Sequence, residues 1–228
     1  NQCIASSPLL NGAKVLENGI NFRPPEDREE QIDVVLIIGD LVIIGEAKCI
    51  LHPAEAKQIA MHRKTVIDAV SQVKRKAMSV EKHSAAFRSR LGQLGIELPE
   101  VFIVLPVVIL NGAIHTGFEL NGVPIIDMYM FNVFFRGEFV ETALKHANGG
   151  IEHINKRILY SDANEAAKNA PSYFRAPPQM EIISKDIRAR LLPIPKVSDK
   201  DWTGIYLTFD FVPDVEHLRG LFQNFNQK

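Results

Sequence analysis

Residues 30–50 carry the strongest pattern in the chain: two apolar runs rich in Val and Ile, joined by Gly39-Asp40. Such runs read as strands, and a two-residue Gly-X link reads as a type II′ hairpin turn. With Gly39 and Asp40 as the turn, residue 38 faces 41 and all facing positions add to 79. Asp33 then lies directly opposite Glu46. Lys48, two residues further on, shares the face of Glu46.

After Ile50 the period changes from two to that of a helix. Pro53 suits a first helical turn. Ile59, Val66, Val70, Val73 and Ala77 then form one apolar stripe. Residues 79–93 continue as helix and stop at Gly92 or Gly95. Residues 102–110 read as a buried strand in which Pro106 demands an edge position or a bulge. Asn111-Gly112 and Asn121-Gly122 mark turns around a short strand, and 123–126 reads as another. Asp127 is placed to cap a helix running to Phe135, with Gly137 past its end. The aromatics Phe118, Tyr129, Phe131, Phe134 and Phe135 read as core. Upstream, 14–22 is extended or a small hairpin at Asn18-Gly19, and 24–30 is an acidic loop. Beyond 141 the periodicity weakens: short helices are expected at 151–158 and 164–169, and strands at 180–192 and 206–211, with prolines breaking up the rest. The pattern predicts an α/β fold with a central mixed β-sheet flanked by helices. Its core spans 1–140, followed by an accessory α+β region at 141–228.

The hairpin is chemically unfavourable by itself. Directly opposed residues have Cβ atoms roughly 5 Å apart, and like charges there are destabilising. The apolar surroundings imply strands covered on both faces, so Asp33 and Glu46 need a compensating charge. A divalent cation with oxygen ligands supplies one, and Lys48 part of another. The alternative is an edge hairpin with solvated charges at its open end.

Asp33, followed on the next strand by Glu46-Ala47-Lys48, resembles the PD-(D/E)xK nuclease superfamily, and most closely its nuclease-related and Holliday-resolvase-like branch. The resemblance covers about residues 12–110, with Ile32 standing where the family name has Pro. It implies a restriction-endonuclease-like fold and Mg²⁺- or Mn²⁺-dependent hydrolysis of phosphodiesters, DNA before RNA. Asp33, Glu46 and the Ala47 carbonyl would hold the metal, and Lys48 would act on the nucleophile. Glu17 stands in for an upstream carboxylate of the family. Glu30 lies close enough to Asp33 to assist. Gln72, on the following helix, matches a glutamine that approaches the site in several branches.

Composition adds one asymmetry. The 228 residues carry a net charge of −1, yet 51–90 holds nine basic against three acidic residues, +6, leaving −7 elsewhere. Lys57, Arg63, Lys64, Lys74, Arg75 and Lys76 are therefore candidate contacts to a phosphate backbone. Cys3 and Cys49 are the two cysteines, too few for a disulfide framework or a four-Cys cluster, in keeping with a cytoplasmic chain. No signal-peptide pattern or membrane-length apolar run is present, so no membrane partner is expected. There is no Gly-rich phosphate loop, no His-Glu-x-x-His and no nucleophile elbow. His52 reads as a cap or surface residue. Two other readings remain open: a catalytically silent nucleic-acid-binding module, and a structural subunit of a larger complex. A homodimer is compatible with all three.

Overall fold

A computed structural model of the protein describes residues 7–16, 18–145, 151–185, 187–193 and 205–211. The chain divides into two compact units, Asn1–Pro177 and Pro178–Lys228. The stretch from 141 to 177 belongs to the first.

The first unit is α/β. Strands β1 (Lys14–Leu16), β4 (Val34–Ile38), β5 (Leu41–Lys48), β6 (Ile103–Leu110), β7 (Phe118–Leu120) and β8 (Val123–Asp127) form one mixed six-stranded sheet in the order β1-β4-β5-β6-β8-β7. β4 and β5 are the antiparallel hairpin, paired from Ile38↔Leu41 to Val34↔Gly45 in the register expected from the turn. Gly39 has φ +59, as the first central position of a type II′ turn requires. β5 and β6 are parallel, and the crossover between them holds helices α1 (Ala56–Lys82) and α2 (Ser84–Gly92). Pro106 pairs with Ile44 of β5, but β8 joins β6 only at Val108–Leu110. The proline thus sits in a central strand at a point where its other side is open, which removes the ladder conflict.

Val35, Ile37, Val42, Ile44, Val108 and Leu110 share a core with Val66, Ala69, Val70 and Val73 of α1. The alternate residues Leu36, Ile38, Leu41 and Ile43 are equally buried, so β4 and β5 are covered on both faces. Helix α4 (Ala163–Arg175) packs against β4 and β8. Ile59, expected in the stripe of α1, is exposed. Helix α3 (Met128–Arg136) begins at Asp127, whose carboxylate accepts from the Met130 N–H at 2.7 Å, and ends at left-handed Gly137. Phe131, Phe134 and Phe135 are core residues, whereas Phe118 and Tyr129 are exposed.

A short ribbon of β2 (Ile20–Phe22) and β3 (Glu30–Ile32) lies in sequence between β1 and β4. β1 pairs with β4 and not with β2, so 14–22 is no hairpin. Asp33 is the junction between β3 and β4. Gly19, at φ +64, lies against this junction: a Cβ there would stand 2.1 Å from the Ile32 carbonyl oxygen and 2.8 Å from that of Asp33. Backbone cannot yield as a flexible side chain can. Gly19→Ala is therefore expected to cost about 1–3 kcal/mol and to displace Asp33. Chemical denaturation checks the first effect; unchanged stability would mean that the backbone relaxes freely there.

Residues 151–158, expected as a helix, are strand β10 (Ile151–Ile158), paired antiparallel with β9 (Glu138–Lys145). The ladder shifts register between His153 and Lys156. An extra residue in one strand lets an apolar spacing of three fit a two-residue period, and that spacing mimics a helix. The helix expected at 164–169 runs on through Pro171 as α4. Its start resembles a capping box displaced by one residue: the N-cap Asp162 accepts from Glu165 N–H, and Glu165 accepts from Ser161 N–H, just before the cap. The second unit contains α5 (Pro178–Lys185) followed by the antiparallel pair β11 (Ile187–Pro193) and β12 (Ile205–Phe211). The expected strand at 180–192 is thus helix in its first half. Among the described residues no helix is long and apolar enough to cross a membrane.

Candidate functional site

Asp33 follows Ile32 out of the β2–β3 ribbon, and the hairpin register carries it alongside the end of β5. The Ala47 N–H donates to Asp33 Oδ2 at 3.2 Å. In an extended strand the N–H and C=O of one residue point to the same edge. The Ala47 carbonyl therefore shares the edge that Asp33 occupies. Gly45 makes this closeness possible, since a Cβ there would stand 2.8 Å from Val34 Cβ. Glu46 projects to the α1 side, the face of Val42 and Ile44.

Two lysines meet Glu46. Lys48 Nζ donates to Glu46 Oε1 at 2.6 Å. Lys76 Nζ, from α1, donates to Glu46 Oε2 and lies 3.7 Å from Asp33 Oδ1. Side-chain exposure is 3% for Glu46 and 8% for Lys76, against 28% for Lys48 and 31% for Asp33. The quartet is charge-balanced, with two carboxylates and two ammonium groups, and it opens to solvent on the Asp33–Lys48 side.

The charge run at 74–76 predicts Lys76 among the phosphate contacts on the outside of the helix. It is buried instead, and its position carries the reason. It follows Val73 by three residues and precedes Val80 by four, so it falls inside the buried stripe. A lysine in such a stripe requires a partner, a signal hidden when Lys74-Arg75-Lys76 is read as one solvated run.

Gln72 stands one turn before Lys76 on the same side of α1, half-buried. Among the described residues it makes no hydrogen bond, so its amide is free to meet a ligand. Glu30, considered as an aid to Asp33, is committed elsewhere. Its buried carboxylate accepts from Arg28 Nε at 2.8 Å and from Arg75 Nε and Nη2 at 2.8 and 2.7 Å. Glu17 lies outside the described residues.

Two carboxylates converging on one ammonium define a cation position. Their hard oxygens suit Mg²⁺ or Mn²⁺, which bind through one or two carboxylates and fill their remaining positions with water and phosphate oxygens. Among the described residues no third His, Cys, Asp or Glu joins them. Asp33 and Glu46, with the Ala47 carbonyl, are the groups that would form the protein's share of such a shell.

The other basic candidates lie on the exposed part of α1. Lys57, Lys64, Arg75 and Lys82 follow one another at spacings of seven, eleven and seven residues, which places them on a single ridge. Arg75 is held by Glu30, and Lys82 lies 3.5 Å from Asp27. Lys57 and Lys64 are therefore the less encumbered pair. Lys74 donates to the Asn121 carbonyl at 3.2 Å, and Arg63 is exposed. A groove of about 560 Å³ runs beside the ridge, lined in part by Arg28, Lys74, Arg75, Ser79 and Lys82.

A histidine pair, not foreseen from the sequence, joins α1 to the loop after β6. His62 Nδ1 and His115 Nδ1 are 3.1 Å apart. Burial, with the nearby charges of His115 and His52, holds the His62 pKa below the ordinary histidine value. A neutral ring is what a single shared proton between the two nitrogens requires. Asn111 pins the exit of β5, accepting from Ile50 N–H at 2.8 Å and donating to the Ile50 carbonyl at 3.1 Å.

Comparison with family models, curated proteins and solved structures finds no match to this chain. The likeness to the PD-(D/E)xK nucleases therefore rests on Asp33, Glu46-Ala47-Lys48 and the elements that carry them.

Proposed function

We propose that the chain is a metal-dependent nuclease that hydrolyses phosphodiester bonds, with DNA as its first substrate. The observation that carries this reading is the convergence of Asp33 and Glu46 on one cation position, with Lys48 on the same face at the open end. A bound Mg²⁺ or Mn²⁺ would polarise a phosphoryl oxygen and lower the pKa of a water molecule. The protein's own residues do the rest. Asp33 and Glu46 would hold the ion. Glu46 holds Lys48 Nζ on the face it shares with the carboxylates, where that ammonium would orient the nucleophile and meet charge developing on the phosphate. Gln72, one turn before Lys76 on α1, would hold a substrate oxygen or Lys48. The ridge on α1 would follow a phosphate backbone without reading sequence. The two-cysteine composition accords with a cytoplasmic setting.

The test is cleavage of a panel of duplex, branched and single-stranded DNA and RNA by the purified chain, with and without Mg²⁺ or Mn²⁺. Metal-dependent cleavage of any member supports the reading, and none on any member with either metal sinks it.

One observation favours a second reading. The two lysines already balance the two carboxylates, so the quartet needs no metal to be stable. A catalytically silent nucleic-acid-binding or structural subunit would keep such a cluster as a polar link between β5 and α1. Binding to the same panel without cleavage would favour it.

The ridge gives a separate prediction. Lys57→Ala with Lys64→Ala is expected to weaken binding equally across sequences. It should lower the slope of log affinity against log salt by about 1 for each phosphate that is no longer neutralised. Fluorescence anisotropy at several salt concentrations measures this; an unchanged slope would exclude the ridge. Replacing Lys74, Arg75 and Lys76 together would be misleading, because it strips the buried carboxylates of Glu30 and Glu46 of partners.

A further inference from the structure

The ammonium of Lys76 occupies the space between the two carboxylates. It takes Glu46 Oε2 and approaches Asp33 Oδ1, the oxygens that converge on the cation position, whereas Lys48 takes only Glu46 Oε1. We propose that Lys76 is a resident counter-ion which a divalent cation must displace, so that this lysine sets the metal affinity of the site. The inference rests on the metal-dependent reading above.

The argument is one of charge and place. With both ammonium groups present the quartet is neutral. A divalent cation added to it would leave two excess positive charges in a largely buried cluster. That is unfavourable where water screens poorly. One ammonium must withdraw, and Lys76 is the one in the way. Its four-carbon stem is flexible enough to retract along α1, and Lys48 keeps its place on Glu46. Metal alone must then expel an ammonium from two carboxylates, and the free site binds metal weakly. A phosphodiester arriving with the metal offers the expelled ammonium a new anion. Metal and substrate would therefore bind cooperatively, each strengthening the other by the same factor.

The experiment is Mn²⁺ titration of the full chain, followed by the electron paramagnetic resonance signal of the free ion. It compares wild type, Lys76→Met and Lys76→Gln, with melting temperatures taken with and without Mn²⁺. Lys76→Gln keeps an N–H donor for Glu46 and serves if the Met variant does not fold. Both variants are expected to bind Mn²⁺ on the order of tenfold tighter than wild type and to gain more in melting temperature when it is added. In wild type carrying ¹³Cε-labelled lysine, one buried lysine signal should move to the exposed range as Mg²⁺ is added. Equal or weaker Mn²⁺ affinity in the variants, or a lysine signal that does not move while metal binds, overturns the role of Lys76 and leaves the carboxylate site standing. Absence of Mn²⁺ binding in wild type and both variants, with and without duplex DNA, overturns both readings.

Discussion

Asp33→Asn and Glu46→Gln are each expected to reduce Mg²⁺-dependent cleavage to the level of the metal-free reaction. Both substitutions preserve shape and remove one negative charge from the cation position. They differ in their effect on the fold. Asp33 is partly exposed, and the amide introduced by Asp33→Asn would still offer an oxygen to the Ala47 N–H, so stability should change little. Glu46 is buried between two ammonium groups. Glu46→Gln would leave Lys76 facing Asp33 as its one remaining carboxylate, and breaking a buried pair from one side typically costs about 3–5 kcal/mol. Lower melting for Glu46→Gln with near wild-type melting for Asp33→Asn, and cleavage lost in both, is the expected pattern. Circular dichroism and a cleavage time course measure the two effects. Full Mg²⁺-dependent activity in either folded variant would sink the assignment of both carboxylates.

What can be read in the sequence follows from how local its cause is. The β4–β5 register is legible because a two-residue turn at Gly39-Asp40 leaves one pairing, and that pairing brings Asp33 to Glu46. The Asp127 cap and the Gly137 stop are legible because both act within one turn of α3. The partners of Glu30 are not. Arg28 is local, but Arg75 reaches Glu30 only because α1 packs against the β2–β3 ribbon, which joins residues 45 apart in sequence. The ladder of β9 and β10 is hidden by its register shift. Lys76 is the instructive case: its helical phase is plain in the spacing from Val73 and Val80, but charge runs are usually solvated, and that expectation outweighs the phase. The fold class is carried by long apolar runs, and the details of the site by pairings that no run records.

The two lysines should separate cleanly in one pair of measurements. Lys48→Ala is expected to lower single-turnover cleavage by about 10²–10³-fold, the usual effect of removing one donor aimed at developing charge. Metal and DNA affinity should stay near wild type, because Lys48 does not lie between the carboxylates and Lys76, the ammonium that the metal must displace, is unchanged. Lys76→Met should do the reverse to metal affinity, tightening it. Lys48→Arg should not restore cleavage: its planar, permanently charged fork presents donors differently from a compact ammonium. It would also have to fit beside a Glu46 oxygen now held at 2.6 Å. Affinity is measured with Ca²⁺ in place of Mg²⁺, so that binding is read apart from turnover. If Lys48→Ala loses DNA binding and cleavage in equal proportion, Lys48 is a phosphate anchor, since an interaction made equally in ground and transition states cannot act on the chemical step alone.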